Sequence, residues 1–158
     1  MTAPASARST RLLSSPDAET TRTLAAALAE AARPGDLLCL WGDLGAGKTQ
    51  FAKGFGGGLG VTATINSPSF ILMAEYAGRL PLFHVDLYRL ADASEAIGGG
   101  MLDERQAAGV TLVEWPERLG AALPDGRLDV VIDGTGDVVR TMTLRAAPGY
   151  ERYLEVVV

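Results

Sequence analysis

Residues 42–49, Gly42-Asp43-Leu44-Gly45-Ala46-Gly47-Lys48-Thr49, fit the pattern G-x-x-x-x-G-K-[ST]. Glycines at those places let the backbone curl so that successive N–H groups converge on phosphate oxygens. A helix starting near Lys48 would add the positive end of its dipole. Lys48 then has the reach for β- and γ-phosphates, and the Thr49 hydroxyl suits Mg²⁺. The bland reading is an ordinary glycine-rich turn. The context favours the phosphate loop, because an apolar run, 37–41, precedes it and a helical pattern follows.

Such a loop needs a further metal-site group from a neighbouring strand. Glu114 closes "VTLVE" and Asp86 closes "PLFHVD". Either could hold Mg²⁺, directly or through water, while the other positions the attacking water or senses the γ-phosphate. A lone acid at a strand end reads first as a solvated residue. Beside a phosphate loop, where the carboxyl ends of strands meet the ligand, function is the better reading. His84 is the only histidine and shares a strand face with Asp86. A catalytic role and a hydrogen-bonded structural role are both open to it. Arg89 could stabilise γ-phosphate charge or form a surface ion pair. Ser67 and Ser69 flank Pro68 and offer hydroxyls to a γ-phosphate, or simply turn chemistry. Trp115 could pack near the nucleotide or anchor the strand end. The only asparagine, Asn66, is followed by Ser67, so no Asn-Lys-x-Asp guanine element exists and ATP is the expected nucleotide.

These side chains need a scaffold. Ser15-Pro16-Asp17 reads as a helix start with Ser15 as the capping hydroxyl, and Leu24, Ala25, Leu28 and Ala32 supply an apolar face. Pro34-Gly35 stops that helix, and Leu37–Trp41 is apolar enough for a buried parallel strand. The helix after the loop carries Phe51, Ala52, Phe55 and Leu59, and Gly56-Gly57-Gly58 is expected to weaken its end. Residues 69–76 and 80–86 predict a hairpin. Residues 91–109 read as a weak, mobile helical stretch broken by three glycines. Residues 110–114 form a further strand, and 128–133 pairs with 140–145 through a Gly134–Asp137 turn. Strands alternating with helices make an α/β layer fold: a mostly parallel sheet flanked by helices, with a β-hairpin insertion and late antiparallel strands. Residues 1–14 are expected to be a flexible leader and 15–158 a single domain.

Bulk properties restrict the function. The 158 residues suit one domain with a real core, and 47% apolar with 21% charged residues is a globular profile. Net charge is −5, with two lysines against twelve arginines and no basic cluster. A protein that grips nucleic acid by itself needs a cationic face, so contact with RNA is expected to be indirect. Cys39 is the only cysteine, which excludes an internal disulfide and points to a reducing compartment. No apolar run reaches membrane-helix length and the N-terminus lacks a signal-peptide core, so a cytoplasmic location is expected.

Taken together, "GDLGAGKT" at 42–49, "SPSFIL" at 67–72, "HVDLYRL" at 84–90 and "LVEWPERL" at 112–119 resemble the TsaE (YjeE) family of small bacterial P-loop ATPases. That family serves the synthesis of threonylcarbamoyladenosine in tRNA. The resemblance implies a P-loop core with a hairpin joining its sheet. It implies a phosphate site made of Lys48 and the amides of Asp43, Leu44, Gly45, Ala46, Gly47 and Thr49. It implies Thr49 and Glu114 as Mg²⁺ ligands, Asp86 as an acid in ATP hydrolysis, Arg140 as a basic residue near the nucleotide, and a backbone contact to adenine around Ala18. Its implied partners are TsaB-like and TsaD-like proteins, with tRNA reached through their complex. Three departures stand out: Ser69 where the family usually has threonine, Gly98-Gly99-Gly100 inside a usually unbroken helix, and Ala18 where the family often has a larger polar residue, so that only a backbone contact carries over there. The rival reading is a small-molecule kinase using Asp86 as base and Arg89 on the phosphates. A kinase lid is usually rich in arginine, and residues 94–108 contain only Arg105.

Overall fold

Leu37–Trp41 is apolar throughout because it lies in the middle of a sheet covered on both faces. The computed structural model describes residues 8–66, 73–89 and 104–157. In chain order the elements are β1 (Ser9–Ser15), α1 (Ala18–Ala29), β2 (Leu37–Trp41), α2 (Lys48–Gly58), β3 (Met73–Tyr76), β4 (Leu82–Asp86), β5 (Val110–Glu114), β6 (Leu128–Asp133), β7 (Arg140–Ala146) and α3 (Arg152–Glu155). Short 3₁₀ helices occupy Glu104–Ala108 and Pro116–Ala122. The seven strands run in the order β1-β7-β6-β2-β5-β4-β3. The four central strands, β6, β2, β5 and β4, are parallel, and β7, β1 and β3 join antiparallel at the flanks. The α/β expectation is met in its parallel core, its hairpin and its late antiparallel pair.

Alternation along β2 divides the core. Leu38 and Leu40 face the side where α1 and α2 pack, with Leu28, Phe51, Phe55, Leu112 and Val130. Leu37 and Cys39 face the other side, with Val85, Val113 and Leu119. Each fully buried phenylalanine or leucine contributes roughly 1.5–3 kcal/mol. The two helices can lie this close because of glycine. A Cβ on Gly54 would sit 2.2 Å from the Arg22 carbonyl oxygen, and one on Gly58 would sit 2.5 Å from that of Ala26. Those glycines lie one turn apart on α2, so together they form the groove that receives α1. The expected weakening at Gly56–Gly58 is therefore a packing feature: α2 continues through Gly58.

Two expectations at the N-terminus are corrected. Ser9–Ser14, assigned to a flexible leader, belong to β1, which pairs along its length with β7 from Ser9↔Ala146 to Ser15↔Arg140. Ser15 does not cap α1. Its buried hydroxyl donates to the Asp17 carbonyl at 2.9 Å and lies 2.7 Å from Thr21 Oγ1. The cap is Asp17, whose carboxylate accepts from the Thr20 amide at 2.7 Å. The first four residues of the predicted hairpin, 69–72, and most of the glycine-interrupted stretch, 91–103, lie outside the described residues.

Candidate phosphate-binding and catalytic site

The loop between β2 and α2 sits at the carboxyl end of the parallel strands, where β4, β5 and β6 also end. Gly47 takes the left-handed conformation (φ 108°) as the N-cap of α2, and Gly45 is also left-handed (φ 81°). A side chain is disfavoured at both places, and the turn they make aims the start of α2 into the loop's concavity. The first-turn amides of α2 have no partner within the helix. The Ala46 amide is engaged inside the loop, donating to the Asp43 carbonyl at 3.1 Å. Asp43 and Leu44 are exposed at the tip.

Lys48 is buried. Its Nζ donates to the Gly42 carbonyl at 2.5 Å and lies 3.4 Å from the centre of the Trp115 ring. Burial pulls its pKa down, while Glu114, Glu117, Asp86 and Asp43 act in the opposite direction. Trp115 packs in turn against Tyr88 at a tilt of 49°, with ring centres 4.9 Å apart. It is the one non-glycine residue with positive φ among the described residues (φ 60°, ψ 49°). A bulky residue held there signals a constrained site, with a cost of roughly 1–3 kcal/mol. The strain turns the chain sharply after Glu114 and lays the indole under the lysine.

Asp86 and Glu114 are Cα partners in the β4–β5 ladder, so both acids stand on one face of the sheet. Leu40, two residues before the loop, is the register partner of Glu114 on the other side. Asp86 accepts from the Tyr88 amide at 2.9 Å, which starts the turn out of β4. Glu114 is buried, and its Oε2 lies 2.6 Å from Nε2 of the fully buried His84. Thr49, Glu114 and Asp86 each offer oxygen donors of the kind Mg²⁺ takes. Among the described residues no three His, Cys, Asp or Glu side chains converge into a metal cage. A Mg²⁺ site completed by phosphate and water needs none, so these residues fit the ion.

Arg140 opens β7, and its guanidinium gathers four carbonyls: Ala46 at 3.1 Å, Gly45 at 3.2 Å, Gly136 at 2.9 Å and Val138 at 2.5 Å. It thereby ties the glycine loop to the β6–β7 turn. A cavity of about 360 Å³ lies against this clamp, lined by Ala18, Thr21, Gly47, Gln50, Val138 and Arg140 among others. The structure thus brings Ala18, the glycine loop and Arg140 to one cavity, and Lys48, Glu114 and Asp86 to its neighbouring strand ends. Arg89 is exposed just beyond β4, and Ser67 and Ser69 lie outside the described residues.

The profile described as "Threonylcarbamoyl adenosine biosynthesis protein TsaE" matches residues 15–142. The chain belongs to the TsaE family. The Bacillus subtilis protein described as tRNA threonylcarbamoyladenosine biosynthesis protein TsaE is 49% identical over 130 residues, covering 81% of this chain and 80% of that one. Its Streptomyces coelicolor namesake is 38% identical over 130 residues, 78% of this chain and 88% of that one. The crystal structure of YdiB from Bacillus subtilis superposes with a TM-score of 0.77 at 39% identity, covering 94% of this chain and 93% of that one. The match extends past the TsaE motifs into the flanking strands, so the whole architecture is shared.

Several residues of this TsaE-family site escaped sequence reasoning. Gln50, Gly136 and Val138 line the cavity, yet nothing in their types marks them. The contact of Trp115 with Lys48 joins two motifs far apart in the chain. Its only sequence signal is an aromatic residue next to a strand-end acid. No helix among the described residues is long and apolar enough to cross a membrane.

Proposed function

We propose that this TsaE-family chain binds ATP with Mg²⁺ at the loop 42–49 and hydrolyses it to drive or reset a TsaB–TsaD-like pair during threonylcarbamoyladenosine synthesis in tRNA. The observation that carries this reading is the register pairing of Asp86 with Glu114 beside the amino end of α2. It unites a phosphate cradle with two acids on a single sheet face. The family's role in threonylcarbamoyladenosine biosynthesis supplies the pathway.

In this reading the loop backbone and Lys48 hold the phosphates. Lys48 must leave the Gly42 carbonyl and the Trp115 ring to do so. Thr49 and Glu114 hold the metal, which when bound neutralises phosphate charge. Asp86 orients the water. Adenine lies in the cavity between the start of α1 and the β6–β7 turn, against the backbone near Ala18. The acidic net charge suits a subunit that reaches tRNA through its partners.

The test is an ATPase assay comparing ATP with GTP, with and without TsaB-like and TsaD-like proteins and tRNA. Slow turnover alone and partner-dependent acceleration are expected. Rapid turnover by the isolated chain that ignores those partners would refute the coupling. Stoichiometric phosphate transfer to a hydroxyl acceptor would favour the kinase reading instead.

A further inference from the structure

His84 is fully buried in β4, between Ala74 of β3 and Leu112 of β5 in the sheet register. Among the described residues its ring makes one polar contact, Nε2 to Glu114 Oε2 at 2.6 Å. The other nitrogen, Nδ1, is enclosed without a hydrogen-bond partner among the described residues. The surroundings separate the possible proton arrangements. A proton on Nδ1 alone would bury an N–H donor with nothing among the described residues to accept it, and would set the Nε2 lone pair against the Glu114 carboxylate. A proton on Nε2 alone leaves only an unused lone pair, the cheaper defect, and makes a charge-assisted bond to a carboxylate. The ring is therefore the donor and Glu114 Oε2 the acceptor.

Packing does not explain this imidazole. A leucine would fill similar space without stranding a polar atom. Glu114 is the leading charge acting on the Lys48 ammonium. A free Glu114 side chain would swing to that lysine and remove both groups from their tasks. Instead Lys48 is held by Gly42 and Trp115, and Glu114 by His84.

Resting on the ATP–Mg²⁺ reading above, we infer that His84 is a positioning residue. Its Nε2–H anchors Oε2 of Glu114, keeps that carboxylate off Lys48 and leaves Oε1 for the metal. Bonds behind a ligating carboxylate are commonly worth about 10–100-fold in metal affinity.

Two measurements test this. His84 is the chain's only histidine, so a long-range ¹H–¹⁵N spectrum of the nucleotide-free protein shows one imidazole. A proton on Nε2 is expected, and a ring protonated on Nδ1 alone would overturn the assignment with no nucleotide involved. Calorimetry with a non-hydrolysable ATP analogue, with and without Mg²⁺, then gives the Mg²⁺-dependent gain in affinity. His84→Leu should cut that gain about tenfold. His84→Gln, whose amide reaches like Nε2–H, should restore it to within about threefold, and in a Glu114→Gln background His84→Leu should change nothing further. If His84→Leu does not melt cooperatively, His84→Asn, too short to reach Glu114, replaces it. A His84→Leu protein with the full gain overturns the positioning role alone, as does a His84→Gln protein as impaired as His84→Leu. A wild-type protein that binds the analogue with no gain from Mg²⁺ overturns the metal reading and the inference together.

Discussion

Glu114 and Asp36 are both buried acids at the ends of the sheet, and they are treated differently. Asp36 lies just before β2, at the amino end. Its Oδ2 accepts from the Arg33 amide at 2.9 Å, from the Tyr153 hydroxyl at 2.5 Å and from the Arg152 guanidinium. Arg152 also donates to the Ala31 carbonyl at 2.8 Å and lies over the Tyr150 and Tyr153 rings. Burial and the Asp36 carboxylate push the Tyr153 hydroxyl far up in pKa, which keeps it a donor. Asp129 is served as fully, by Trp41 at 2.8 Å, Arg127 at 2.8 Å and Arg8 at 3.4 Å. Glu114 at the carboxyl end has one partner among the described residues, and that partner has an unpaired nitrogen. A carboxylate saturated with donors locks chain segments together. One left with spare acceptor capacity, beside a glycine loop and a strained tryptophan, has room for the ligand proposed above.

Four substitutions sharpen or break that contrast. The largest effect is expected at Asp36→Ala, which strands the Arg152 charge and releases α3. Urea denaturation should show a loss of about 3–5 kcal/mol, while the folded fraction keeps its nucleotide affinity. An equal loss of affinity would erase the distinction between the two ends. Glu114→Gln should do the reverse: melting changes little, and partner-stimulated ATP hydrolysis falls about 100-fold, equivalent to about 2.7 kcal/mol of barrier. Unchanged hydrolysis would move the metal role to Asp86. Arg140→Ala unties the glycine loop from the β6–β7 turn. A nucleotide-binding titration should give about tenfold weaker affinity, or about 1.4 kcal/mol.

The smallest change is expected at Asp17→Ala. The Thr20 amide holds the Asp17 carboxyl below its ordinary 3.8. The ionised cap therefore adds stability above that value, and the addition is lost as pH falls through the lowered pKa. Melting curves of the wild type and variant should differ slightly at neutral pH and converge in acid. A gap that persisted in acid would show that the carboxylate charge is not what caps the helix.

What could be read from the sequence follows the range of each interaction. The glycine loop, the helix after it and the apolar strands are local patterns, and within the described residues they appear where expected. β1 was missed because an edge strand has few inward positions. Arg11, Leu13 and Ser15 fill them, so only one is apolar and no alternation shows. The Gly54–Gly58 groove was missed because a glycine's cost in a helix is local, whereas its benefit depends on α1 lying against it. Glu114 and Asp86 were both legible as strand-end acids, but their sharing of one face depends on register across two strands.

The sequence by itself determined the α/β order of elements and the family, because each rests on residue types at fixed short spacings. Only the tertiary structure decided that Lys48 rests on Trp115, that Arg140 grips the glycine loop, and that His84 holds Glu114. Those contacts join residues from 30 to 94 positions apart. Neighbours at such separations are chosen by strand order and sheet register, which the chain acquires only when its core is buried.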